Sequence, residues 1–234
     1  FLYYGPAKER YEWAEINSYG ALRKIICDLE AEDRNNPVMT GHCRLDAGLG
    51  QGSVALTPLV SEVHLTSVRF DFSGTPYTGR PVSDVKAYLI NVNASCSMTA
   101  DSGPGCMRLI NTGMLNPNDM NGFMDRSILM YEFNEEFRTQ TAHPEKSFLC
   151  YPNSGDTGMH TKLVIEGKID GITYYWPISV GKDGSIARSC SYSYDILIRR
   201  KGVSDPDFLI EPKTIEIDLN IKPWNEKENY PVRF

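Results

Sequence analysis

Apolar residues recur along this chain with two different periods. Between Asn17 and Asp33, Leu22, Ile25, Ile26 and Leu29 fall at helical intervals behind Asn17 and Ser18, whose side chains suit an N-cap. A helix is predicted near 17–33, and Asn35-Asn36-Pro37 ends it. From Val54 onward the period shortens towards two, and β-branched and aromatic residues become frequent, so the remainder reads mainly as strands. In Ser61 to Phe72, Val63 and Leu65 share one parity while Val68, Phe70 and Phe72 take the other, which predicts a bulge or bend at Thr66-Ser67. Val85 to Val92 is apolar on both parities, as for a strand covered on both faces or lying under a loop.

Asn93 to Asn121 is crowded with Ser, Gly, Pro and Asn and reads as a long surface excursion. Strand patterns return at Ser127 to Phe137 and Phe148 to Tyr151, before the turn-rich stretch Pro152 to Gly158. That stretch is the expected domain boundary, giving a first domain over 1–152 and a second over 153–234. The second part is the more regular. Asp170-Gly171 between apolar flanks is a two-residue hairpin signal, because a type I′ turn needs positive φ twice. Tyr174, Trp176, Ile178 and Val180 alternate with Tyr175, Pro177 and Ser179. Gly181 to Gly184 then promises a second hairpin, whose return strand carries Tyr192, Tyr194, Ile196 and Ile198 on one parity. Ile215, Ile217, Leu219 and Ile221 alternate with Glu216, Asp218, Asn220 and Lys222. Antiparallel strands that each bury one face imply an all-β fold of packed sheets, with one short N-terminal helix.

Charge narrows the partners. The 234 residues carry a formal net charge of −6 with no Lys/Arg cluster, which disfavours nucleic acid and anionic lipid surfaces. No apolar run approaches the roughly 20 residues of a membrane span. The chain opens at Phe1 rather than Met, from which the expectation is that a leading piece has been removed. The six cysteines, Cys27, Cys43, Cys96, Cys106, Cys150 and Cys190, contain no C-x-x-C pair and are expected to be mostly buried thiols. A Cys96–Cys106 bridge across the intervening Ser/Gly/Pro stretch stays open, since spacing does not establish its geometry.

The residue types that carry chemistry are present without the spacing that chemistry needs. His42, His64, His143 and His160 are scattered and form no H-x-x-x-H or H-E-x-x-H frame, so no metal is expected. Gly48-Leu49-Gly50-Gln51-Gly52 leads into a strand pattern rather than a helix and reads as a turn, not a phosphate loop. There is no G-x-S-x-G or G-x-x-x-x-G-K-[ST] motif. Glu132, Glu135, Glu136, Asp205 and Asp207 offer carboxylates in numbers too ordinary to mark a glycosidase pair, and Asp205-Pro206-Asp207 lacks the oxygen ligands of a calcium loop. Tyr174-Tyr175-Trp176 suits a sugar platform by type, but alternation assigns most of these rings to packing. The expectation is no enzyme, no catalytic residue and no cofactor.

Three stretches are distinctive: Thr161 to Ile178 (TKLVIEGKIDGITYYWPI), Ile186 to Gly202 (IARSCSYSYDILIRRKG), and Ile221-Lys222-Pro223-Trp224. With Pro37 to Gly41 (PVMTG) and Leu56 to Val63 (LTPLVSEV) upstream, the chain resembles the Bacteroidales-type (type V) fimbrillins, the FimA-like pilin family. That family often has an Arg after the Leu-Thr pair, where this chain has Pro58. The resemblance implies two transthyretin-like antiparallel β-sandwich domains. It also implies export as a lipoprotein to the outer membrane and cell surface, the lipid-bearing Cys lying in the removed leading piece. The implied role is a structural subunit (stalk, anchor or tip) of a fimbria, polymerising with other fimbrial subunits by donor-strand exchange and contacting host or bacterial surfaces. The region expected to supply the strand used in assembly is the row Ile215, Ile217, Leu219 and Ile221 ending at Trp224, followed by the terminal Tyr230 to Phe234. For Ile215 to Ile221 an ordinary strand completing its own sandwich explains the alternation equally well. The competing function is a surface carbohydrate-binding or adhesive β-sandwich; a hydrolase with an unfamiliar site ranks third.

Overall fold

A computed structural model of the chain describes residues 2–4, 16–42, 51–99, 108–154, 158–181, 184–208, 210, 214–224 and 228–233, with the backbone alone at 2–4, 51–52 and 228–233. The described strands are β1 (Leu2–Tyr4), β2 (Ile26–Asp28), β3 (Met39–Gly41), β4 (Gln51–Pro58), β5 (Ser61–Phe70), β6 (Ser83–Ile90), β7 (Val92–Asn93), β8 (Ser95–Ser97), β9 (Leu109–Ile110), β10 (Met130–Glu132), β11 (Thr141–Ala142), β12 (Lys146–Cys150), β13 (Lys162–Ile169), β14 (Ile172–Ser179), β15 (Cys190–Ile198), β16 (Ile215–Pro223) and β17 (Glu228–Arg233). One helix, α1 (Tyr19–Leu22), precedes β2.

Two sheets face each other across the core. One has the order β10-β6-β13-β14; the other is β11-β5-β15-β16, with β12 also on β5. Their facing rows are Val63, Leu65, Val68 and Phe70 of β5 with Tyr192, Tyr194, Ile196 and Ile198 of β15. Against these stand Val85, Ala87 and Leu89 of β6, Leu163 and Ile165 of β13, and Trp176 and Ile178 of β14. Phe70 meets Phe137 and Trp176 edge-on, at 5.3 and 5.2 Å between ring centroids, the arrangement that aromatic quadrupoles favour. The fold is thus an all-β sandwich, as the alternation predicts.

Local details follow the pattern closely in places. Asp170 and Gly171 have φ of 52° and 79°, and Ile169 pairs with Ile172, so the two-residue hairpin forms with both central residues left-handed. The β5–β15 register slips between Leu65 and Ser67, leaving Thr66 as the extra residue where the apolar parity inverts. The double-faced apolar strand is β6. Its second face, Tyr88 and Ile90, forms a separate small cluster with Val164, covered by Leu115 from the following loop.

Four expectations are corrected. The helix expected over 17–33 is limited to Tyr19–Leu22, capped by Ser18, whose hydroxyl accepts from the Ala21 N–H at 3.1 Å. Beyond it, Ile26–Asp28 pair with Ser95–Ser97, and Leu29–Ala31 form a single 3-10 turn. Pairing with a distant strand outcompetes the weak local preference of a segment that holds adjacent β-branched Ile25 and Ile26. The second hairpin does not form. β14 and β15 lie in different sheets, and β15 pairs in parallel with β5, so 180–189 is a crossover and the sheet is mixed rather than wholly antiparallel. The excursion over 93–121 is partly structured, since β8 pairs with β2 and β9 with β7. Finally, the expected boundary at 152/153 falls inside the sandwich: β6 pairs with β13 and β5 with β15, so both main sheets take strands from each side of it. β13 and β15 depend on β6 and β5 for neighbours in their sheets.

Besides the two ribbons β2-β8 and β7-β9, a small sheet, β1-β3-β4-β17, places the first and last described strands at its two edges. Arg188, in the crossover, ties β3 and β4 to the sandwich. Its guanidinium donates to the carbonyls of Pro58 (2.9 Å), Thr57 (2.7 Å) and Thr40 (3.1 Å) and to the Thr40 hydroxyl (2.8 Å). Burial lowers its pKa from the ordinary guanidinium value.

Candidate assembly surface

The strand that the sequence marked for assembly, β16, is the last strand of its sheet. It pairs with β15 through nine register positions, setting Ile215, Ile217, Leu219 and Ile221 opposite Ile198, Ile196, Tyr194 and Tyr192. Directly opposed residues share a face, so this aliphatic row lies on the inner side of the sheet. Its burial nonetheless differs sharply from that of β15. Tyr194 and Ile198 are fully buried, whereas Ile217 is 43% and Ile221 37% exposed. Ile215 and Leu219 are half-buried against the core, and Trp224 is a core residue whose backbone N–H donates to the Ser189 carbonyl at 2.9 Å. Among the described residues no strand pairs with the outer edge of β16. The result is an open edge flanked by aliphatic side chains, the combination that strand addition uses.

The solvent face of the same edge is polar. Asp195 and Asp218 take opposite register positions across the β15–β16 pair, and Asp195 accepts from the Ser67 hydroxyl at 2.6 Å. Arg199 spans to β16 through Glu216 at 2.5 and 3.1 Å. The bond from Arg199 lowers the Glu216 pKa, and the same bond raises that of Arg199.

At the other sheet, the edge strand β14 is covered. Tyr175 and Val203 exchange backbone hydrogen bonds of 2.9 Å in both directions, and Trp176 Nε1 donates to the Arg200 carbonyl at 2.9 Å. Trp176 is fully buried, which bears out its packing role, while Tyr174 and Tyr175 are half-buried. The covering segment also borders a cleft of about 690 Å³ lined by Pro76, Tyr77, Lys201 and Ile210 among others, with Lys201 Nζ 5.9 Å from the centre of the Tyr77 ring.

One arrangement that looks catalytic came from far-apart positions. His64 Nδ1 lies 2.8 Å from Ser147 Oγ, and its Nε2 lies 2.9 Å from Glu145 Oε2. The order Ser–His–Glu imitates a nucleophilic triad. Ser147, however, is 1% exposed, so its hydroxyl is closed to a substrate, and the arrangement serves as a polar clamp between β5 and β12. Its 83-residue separation left no signal in the sequence. Elsewhere, Glu32 is buried and accepts from the Tyr151 hydroxyl at 2.6 Å and the Val38 N–H at 2.9 Å. Burial raises its pKa above the ordinary carboxylate value, partly opposed by these two bonds. Among the described residues there is no group of three or more His, Cys, Asp or Glu arranged to hold a metal, and no helix long and apolar enough to cross a membrane. Residues Cys43, 48–50, Cys106, 225–227 and Phe234 lie outside the described residues, as do the side chains of 230–233.

No family model matches the chain, and no curated protein matches its sequence. Solved structures do share its fold. A "putative cell adhesion protein" of Bacteroides eggerthii DSM 20697 superposes with a TM-score of 0.65 at 16% identity, covering 91% of this chain and 73% of that one. Another of the same description from Parabacteroides distasonis ATCC 8503 gives 0.64 at 15%, covering 91% and 71%. The fimbrilin (FimA) of Porphyromonas gingivalis W83 gives 0.63 at 14%, covering 88% and 75%. The chain therefore has the fimbrillin-like β-sandwich fold.

Proposed function

We propose that this chain is a structural, non-enzymatic subunit of a bacterial cell-surface fimbria, exported and assembled with other subunits by donor-strand exchange. The observation that carries the reading is the open β16 edge with Ile217 and Ile221 exposed beside it. An added strand there satisfies unpaired backbone groups and covers aliphatic surface in one step. The small sheet supports the exchange. β1 is held by three register pairs to β3 and β17 by six to β4, each with a neighbour on one side only among the described residues, so either strand can be traded for that of another copy. Within the expected assembly set, Ile217 and Ile221 form the contact, Ile215 and Leu219 flank it, and Trp224 anchors the end of β16 in its own subunit.

The test pairs a folding readout with an assembly readout. Ile217→Asp with Ile221→Asp, and separately removal of Tyr230 to Phe234, should leave a monomer with unchanged circular dichroism that no longer joins polymers seen by native gel and electron microscopy. Polymers that still form in both variants sink the reading. A second reading, a glycan-binding surface protein, draws on the cleft at Tyr77 and Lys201, where a ring face and a cation border a concave space. Glycan-array binding abolished by Tyr77→Ala in a chain that does not polymerise would favour it.

A further inference from the structure

β2 and β8 form a short antiparallel ribbon in which Cys27 lies directly opposite Cys96. Both are thiols in this structure. Cys27 is 1% exposed, and Cys96 is half-buried against the core. The bonds flanking the ribbon fix its phase: the Leu29 N–H donates to the Ala94 carbonyl at 2.9 Å and the Met98 N–H to the Ile25 carbonyl at 3.0 Å. Hydrogen-bonded pairs recur every second residue, so Cys27 and Cys96 are such a pair, with Cα atoms about 5.5 Å apart. That separation lies inside the 4.4–6.8 Å range that a disulfide spans, and side chains of opposed residues leave the same face of the ribbon.

We propose that Cys27 and Cys96 are a cross-strand disulfide site, closed by exchange with a small-molecule disulfide in an oxidising compartment. Cys96 is the more accessible sulfur and reacts first. Its thiolate attacks one sulfur of the oxidant, forming a mixed disulfide and expelling one thiolate of the oxidant. The Cys27 thiolate then attacks Cys96 Sγ, the Cys27–Cys96 bond forms, and the second thiolate leaves. Each cysteine proton goes to solvent, and the oxidant is reduced to two thiols. The Arg188 guanidinium interacts electrostatically with Cys96, and an adjacent cation favours the attacking thiolate.

Other described cysteines are excluded from this chemistry by topology. Cys150 pairs with Ser61 from one side of β5, and Cys190 donates its N–H to the Ser61 hydroxyl from the other side. They stand roughly two strand spacings apart, about 9.5 Å, beyond the reach of a disulfide. Burial also pushes the Cys150 thiol up to about 12. The proposed bond would tie the segment before the sandwich to the one after β6, beside the Tyr151–Glu32 hydrogen bond, since Cys27 and Cys96 both interact with the Tyr151 phenol. Opposed Cβ atoms start about 1 Å farther apart than a relaxed disulfide holds them. The bond should therefore be readily reduced by a dithiol.

The chemistry does not depend on the fimbrial reading, which bears only on where the bond forms. The reduced full chain is exposed, folded, to oxidised glutathione, then denatured, alkylated and mapped by peptide mass spectrometry. The expected result is a linked Cys27–Cys96 peptide and the loss of two of the six alkylatable thiols. Cys27→Ser should stop at glutathionylated Cys96. The proposal is overturned if both cysteines remain alkylatable, or if Cys96 is found linked to Cys106. Should the Ser variant fail to fold, the wild-type map decides alone.

Discussion

The two main sheets end in opposite ways. The β14 edge is closed by the segment around Val203, with backbone bonds in both directions and the Trp176 indole capping the Arg200 carbonyl. The β16 edge is bare among the described residues, although its aliphatic row is the continuation of a fully buried one on β15. Edge strands are a hazard that most proteins cover or charge. One edge is covered; the other is left apolar on one face and charged on the other, which is the contrast on which the proposed strand addition at β16 rests. The difference also teaches that alternation alone does not distinguish a core strand from a docking strand. β15 and β16 carry the same pattern, and only the reach of the opposite sheet separates them.

The sharpest way to break the contrast is at the closed edge. Trp176→Ala removes a fully buried ring, its contact with Phe70 and its bond to Arg200. Urea unfolding should show a loss of about 3–5 kcal/mol. Val203→Pro removes the N–H that binds the Tyr175 carbonyl and should cost about 1–3 kcal/mol by the same measurement. At the open edge, Ile217→Ser should change monomer stability by under about 1 kcal/mol, because the side chain is already 43% exposed. A loss as large as that of Trp176→Ala would show that the two edges are not different in kind.

Acid titration sharpens the comparison between interior and edge carboxylates. Glu32 has a raised pKa, so its protonated form suits the fold. Its contribution to stability is complete below about 4.5, the ordinary value, and is lost as pH rises through the folded value. Glu32→Gln should therefore gain on the wild type with rising pH, at a limiting slope of about 1.4 kcal/mol per unit, read from denaturation at several pH values. Glu216 has a lowered pKa from its Arg199 bond. Its contribution is present above the ordinary value and disappears as pH falls through the folded one. Being exposed, it should be a small effect that added salt erases, visible as a slight loss for Glu216→Gln at neutral pH and low salt only.

Much of this architecture was legible in the residues. Period-two alternation fixed the β class, the inward rows of β13, β14 and β15, the Asp170-Gly171 turn and the parity inversion at Thr66, because each depends on neighbours in sequence. In the segment 17–33, helical spacing of four apolar residues is weak beside a partner strand some 70 positions later, which no local pattern reveals. The same limit hid the crossover after β14, the sharing of both sheets across residue 152, the Ser147–His64–Glu145 clamp and the opposition of Cys27 to Cys96. Within the assembly set, the sequence determined that Ile215, Ile217, Leu219 and Ile221 share a face. Tertiary structure decided which of them meets solvent and that Trp224 is buried, because exposure is set by how far the opposing sheet extends and not by the strand itself.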